Sequence, residues 1–103
     1  MKTLICLLAL TSLASAQRCE IIQAKPGHTV QVKSSLKWTG LTAQVTVKSK
    51  KGILMDVKVP FDPIRGIWTG PELPDSSKGA LVCVTIRHKN KPMGWCVRRI
   101  SVR

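Results

Sequence analysis

Tyrosine is absent from this 103-residue chain, and phenylalanine occurs once. Trp38, Trp68 and Trp95 are therefore three of its four aromatic residues. Acidic residues are as scarce. Glu20, Asp56, Asp62, Glu72 and Asp75 are the whole carboxylate complement, and they are scattered. Asp56 and Asp62 only flank Pro60-Phe61, which gives no paired-carboxylate spacing for glycoside hydrolysis. Histidine occurs twice, as His28 and His88, and neither clusters with cysteine at a metal-binding spacing. No glycine-rich phosphate loop is present. Without a constellation that carries a mechanism, the chain reads as a non-enzyme with no cofactor and no metal. Two catalytic arrangements stay on paper: Cys83 or Cys96 with His88, and a ribonuclease-like use of His28, lysine and His88.

A long apolar run is also missing. The longest, Thr3 to Leu13, is too short to span a bilayer. It follows Lys2 and ends at the small residues Ala14-Ser15-Ala16, the pattern of a secretory signal peptide cut after Ala16. Residues 1–16 are thus expected to be a leader, and residues 17–103 a single secreted, extracellular domain. In an oxidising compartment its cysteines are expected to be structural. Cys6 leaves with the leader; Cys19, Cys83 and Cys96 remain, and three pairings are possible.

What the chain has in excess is positive charge. Seventeen Lys and Arg stand against five Asp and Glu. Loss of Lys2 leaves sixteen, a net charge of +11 for residues 17–103. A net charge of about 2–8 is enough to keep a small domain soluble. The surplus points to a polyanionic partner. Export argues against intracellular nucleic acid and leaves anionic lipid, acidic glycan and microbial envelopes.

Hydrophobicity alternates with a period of two in Thr29–Lys33, Thr42–Lys48, Ile53–Val59, Ala80–Arg87 and Trp95–Val102. Glycine, proline and lysine-rich breakers separate these runs. Pro60 to Gly79 reads as a long loop with at most one short strand at Ile67-Trp68. No segment keeps a helical period. The expectation is an all-β fold, a small antiparallel β-sandwich of about six strands. The cysteine-bearing strands flank the turn between Lys89 and Gly94, which predicts a Cys83–Cys96 disulfide across a hairpin. It leaves Cys19 near a mobile N-terminus, able to link two chains.

Several stretches then carry a family resemblance. Val30-Gln31-Val32-Lys33-Ser34 stands as an opening strand, and Gly40-Leu41-Thr42-Ala43-Gln44-Val45-Thr46-Val47 as a second. Thr85-Ile86-Arg87-His88-Lys89-Asn90, Pro92-Met93-Gly94-Trp95 and Val97 to Val102 follow as a third block. In this order the chain resembles the PLAT (lipoxygenase-homology) domain. Val82-Cys83 and Trp95-Cys96 resemble its small, cysteine-bearing secreted type. The resemblance implies a non-catalytic β-sandwich that docks on membranes, lipids or a protein. Calcium binding is not implied, because Lys89 stands where that family usually has Asp.

The candidate contact surface is cationic. Lys48, Lys50 and Lys51 crowd one turn; Arg87, Lys89 and Lys91 line another; Arg99 and Arg103 follow on the last strand. If the turns share one end of the sandwich, they form a single basic tip. Trp38 and Trp68, in or beside loops, are candidate membrane anchors at headgroup level. The expected function is docking on anionic lipid, glycan or membrane surfaces. A heparin-binding role belongs to the same reading. The alternatives are an antimicrobial or toxin-like protein that disrupts membranes, and an extracellular protein-interaction domain.

Overall fold

The computed structural model describes residues 18–36, 39–62 and 66–102. Residues 1–16, Trp38 and Arg103 lie outside them.

Seven strands are present: β1 (Cys19–Gln23), β2 (Thr29–Ser34), β3 (Leu41–Ser49), β4 (Gly52–Phe61), β5 (Ile67–Glu72), β6 (Leu81–His88) and β7 (Lys91–Arg99). They form two antiparallel sheets, ordered β1-β2-β5 and β4-β3-β6-β7. The all-β sandwich is as expected, with seven strands where about six were expected and five runs alternate. The inward faces are built from period-two positions. Val30 and Val32 on β2 meet Ala43, Val45 and Val47 on β3 and Val82, Val84 and Ile86 on β6, all wholly buried. Interdigitated β-branched side chains of this kind fill the space between stacked sheets.

Two regions read as loop or terminus are strands. β1 pairs with β2, with Cys19 opposite Ser34 and Ile21 opposite Val32. β5 pairs with the other edge of β2, so the Pro60–Gly79 stretch contains a full sheet member. Pro71 is tolerated there because β5 is an edge strand. Gly70 is required: a Cβ at that position would stand 2.5 Å from the ring of Trp68.

The disulfide joins Cys19 to Cys96, with Cα atoms 5.6 Å apart, and not Cys83 to Cys96. The reason is a single extra residue. β6 and β7 are joined by the two-residue turn Lys89-Asn90, both with positive φ, as tight hairpins require. His88 faces Lys91 and Arg87 faces Pro92. Continued without a break, that register would set Cys83 against Cys96. Instead a bulge at Met93 puts Ile86 opposite Gly94 and Cys83 opposite Val97. A slip of one residue turns every later side chain to the other face. Cys96 therefore points into the core and reaches β1, while Cys83 is buried on the outward face. Cys19 is consumed inside the chain, so it cannot link two copies. Trp95, whose neighbour in the ladder is Thr85, also lies on that outward face, buried but with no partner for its Nε1.

The disulfide also closes one side of the sandwich. β1 runs beside β7, where Arg98 Nη1 donates to the Ile21 carbonyl (2.8 Å) and the Ser101 amide to the Ala24 carbonyl (3.1 Å). The other side is bounded by β4 and β5. There Trp68 Nε1 donates to the Pro60 carbonyl at 2.9 Å.

Candidate polyanion-docking end

The two basic turns do not share one end. β3 runs antiparallel to β6, with Leu41 opposite His88 and Lys48 opposite Leu81. Leu81 in turn faces Arg99. The Lys50-Lys51 turn thus lies at the Leu81–Arg99 end, and the Lys89-Asn90 turn at the Leu41–Phe61 end. The length of β3 separates them, about 23 Å for seven steps of a strand. The single basic tip is corrected to two. Lys48, Lys50, Lys51 and Arg99 belong to one; Arg87, Lys89 and Lys91 belong to the other.

At the first end three segments meet. The β3–β4 turn is held by Ser49, whose Oγ accepts from the Lys51 amide (3.1 Å) and donates to the Gly52 carbonyl (3.2 Å). Gly52, at φ 132°, lets the chain reverse, and Lys50 and Lys51 are left exposed. The second segment is a short 3-10 turn, Asp75–Ser77. Ser77 is fully buried and its Oγ donates to the Pro74 carbonyl (2.6 Å). The following residues pair with the end of β7: the Gly79 amide donates to the Ile100 carbonyl, and the Ile100 amide to the Ala80 carbonyl. Arg99 Nη1 adds a bond to the Gly79 carbonyl at 2.8 Å. Lys78 is thereby fixed beside Arg99.

The result is an open groove of about 580 Å³ lined in part by Lys50, Lys51, Lys78 and Arg99. Leu54 and Val102 share its wall and are 38% and 67% exposed, with Ile53 next to Leu54 at 47%. A second groove of about 300 Å³ between β1 and β7 is lined by Lys25, Arg98 and Arg99. Arg99 belongs to both. Among the described residues, no carboxylate lines either groove. Cations without local counter-charges hold an unspent field toward solvent.

Sequence reasoning missed Lys25, Lys78 and the apolar pair Leu54 and Val102. Lys78 sat in what looked like a loop. Its place beside Arg99 depends on the bonds that join Gly79 and Ala80 to Arg99 and Ile100, 20 residues along the chain in the case of Arg99 and Gly79, for which no local pattern exists.

The opposite end is assembled differently. Arg87 Nε donates to Gln44 Oε1 at 3.3 Å, which lays the guanidinium along the outward face of the sheet. Lys89 and Lys91 are exposed on and beside the turn.

Trp68 does not stand exposed, as the anchor reading needs. It is buried, packs against Phe61 with ring centroids 5.1 Å apart, and bonds through its indole nitrogen. Of the two catalytic arrangements, Cys96 is closed by its disulfide. Cys83 is buried and lies five residues from His88 along one strand, about 17 Å at strand rise. The His28 carbonyl bonds to the Leu73 amide at the groove end, and His88 ends β6 at the other. The two imidazoles therefore do not meet. Among the described residues, no three His, Cys, Asp or Glu side chains gather as metal ligands.

No family model, no curated protein and no solved structure matches this chain.

Proposed function

We propose that this is a secreted docking module that binds anionic membrane surfaces end-on, through the groove formed by Lys50, Lys51, Lys78 and Arg99. The observation that carries the reading is the pairing of cations, with no carboxylate in the groove lining among the described residues, with exposed Leu54 and Val102 in one wall. Lysine near an anionic surface contributes about 1 kcal/mol each. An aliphatic side chain beside it adds burial below the headgroups, which a purely electrostatic ligand does not offer. The docking role implied by the resemblance to the PLAT domain is of the same kind.

Sedimentation with vesicles tests it. The protein is expected to bind phosphatidylserine-containing vesicles, to bind phosphatidylcholine vesicles weakly, and to lose binding as salt shortens the screening length. Vesicle contents are expected to stay inside; release would make it a membrane-disrupting defence protein instead. Tight retention on heparin together with no vesicle binding would reassign the groove to acidic glycans. Binding to neither would remove the polyanion reading.

A further inference from the structure

The edge of β4 is the second feature that asks for a partner. β4 is the outermost strand of the four-stranded sheet and ten residues long. An edge this long presents unpaired backbone groups to whatever can add to it. Which groups these are follows from Pro60. A proline nitrogen in a strand must face away from the ladder, and Pro60 sits opposite Thr42 of β3. The Pro60 carbonyl does face outward, because Trp68 bonds to it. No register shift occurs between residues 55 and 60. The amides and carbonyls of Asp56 and Lys58 therefore also face the open edge.

The side chains of this edge fall into two sets. Met55, Val57 and Val59 lie toward the core but are only partly buried, because the three-stranded sheet does not extend over them. Asp56 and Lys58 are exposed on the other face. Asp56 is held in place by Gln44 Nε2 (3.1 Å) and Thr46 Oγ1 (3.3 Å), both donating to its Oδ1. A carboxylate still has further acceptor sites.

We propose that this edge pairs with the same edge of a second copy of the chain, antiparallel, with the two-fold axis through Val57. In that register Asp56 of each copy stands opposite Lys58 of the other, twice by symmetry. These pairs exchange backbone bonds through the groups that face the edge. Val57 meets its own copy as the closer, non-hydrogen-bonded pair, and Met55 meets Val59. The half-buried apolar strip is covered, and an eight-stranded sheet runs across the dimer. Opposite charges directly across a ladder stabilise it, and like charges oppose it. The strand is self-complementary in this register, and a shift by one pair would set Lys58 against Lys58. It is also a neutral stretch in a chain of net charge +12, whose lysine-bearing ends repel one another. This pairing brings Leu54, in one wall of the Lys50–Arg99 groove, opposite Pro60 of the second copy at the rim of the interface, and leaves the groove's cations outside it.

Sedimentation-equilibrium mass of the secreted protein tests the proposal, with circular dichroism to confirm the fold of each variant. The parent is expected to show a reversible dimer. Asp56→Lys is expected to raise the dimer dissociation constant at least tenfold, and the double change Asp56→Lys with Lys58→Asp to restore it. Val57→Lys, which sets two ammonium groups across the axis, is expected to give a monomer without touching the Asp56 network. A parent that stays monomeric at high micromolar concentration overturns the proposal. So does a dimer indifferent to Asp56→Lys and Val57→Lys, or one that the double change does not recover.

Discussion

At the end formed by Lys50, Lys51 and Lys78, three chain segments meet, and Arg99 ties two of them together through the Gly79 carbonyl. At the opposite end, Lys89 and Lys91 stand on a two-residue turn, and Arg87 is drawn onto the sheet by Gln44. The local sequences are equally basic. The difference lies in what surrounds the charge. One end has a groove with aliphatic walls; the other has a hairpin tip. Counting lysines does not locate a docking surface. The pairing of distant segments, which decides whether charges converge, does.

Changes that loosen the whole sandwich should affect both ends together. The largest such effect belongs to the disulfide, which links residues 77 positions apart. Replacing Cys19 and Cys96 with Ser is expected to cost about 4–5 kcal/mol, by the chain-entropy relation for a loop of that length. Cys83→Ala, outside the bond, is expected to cost about 1 kcal/mol, within the usual range for a buried side-chain truncation of this size. Urea denaturation of both variants measures the contrast. Equal losses would mean that the pairing is wrong.

Trp68→Ala comes next, at about 3–5 kcal/mol of stability, because it empties the space against Phe61 and removes the bond to Pro60. Gly70→Ala should reproduce part of this loss, about 1–3 kcal/mol, by overpacking the same indole. Thermal melts read both. An interfacial anchor would behave in the opposite way: vesicle binding would fall with stability unchanged.

A smaller effect separates the two components of the groove. Leu54→Ser with Val102→Ser is expected to weaken binding to anionic vesicles about tenfold, or ~1.4 kcal/mol. Heparin retention should stay as it was, since a sulfated chain offers no apolar layer. Loss of both would show that the aliphatic pair shapes the groove instead of entering the bilayer.

Much of this architecture is legible in local pattern. β3 and β4 alternate cleanly, because one face of each meets the core and the other meets solvent, whereas Cys83 on β6 and Trp95 on β7 are buried on the outward face and blur the period. β5 is legible only at Ile67-Trp68, since Gly70-Pro71 reads as a break. Only the indole of Trp68 and the edge position make those residues fit a strand. β1 is short, and Ile21-Ile22 blurs its period. The disulfide turned on one bulged residue, Met93, which reverses the parity that spacing alone would give. Most of the cations of the groove were visible as basic residues. Their convergence was not, because it is set by the register of β3 on β6 and by the pairing of Gly79-Ala80 with Ile100.

The most direct test sets the two ends against each other on the same vesicles. One variant carries Lys50→Ser, Lys51→Ser and Lys78→Ser; the other carries Arg87→Ser, Lys89→Ser and Lys91→Ser. Both should fold, because five of the six residues are exposed charges, which contribute little to stability, and Arg87 is half-buried with one bond to Gln44. The first is expected to bind phosphatidylserine-containing vesicles roughly a hundredfold more weakly than the parent, three cations at about 1 kcal/mol each. The second should stay within about threefold, its charges lying more than two screening lengths (~8 Å each) from the docked surface. Equal losses in the two variants, or a larger loss in the second, would contradict docking through the groove.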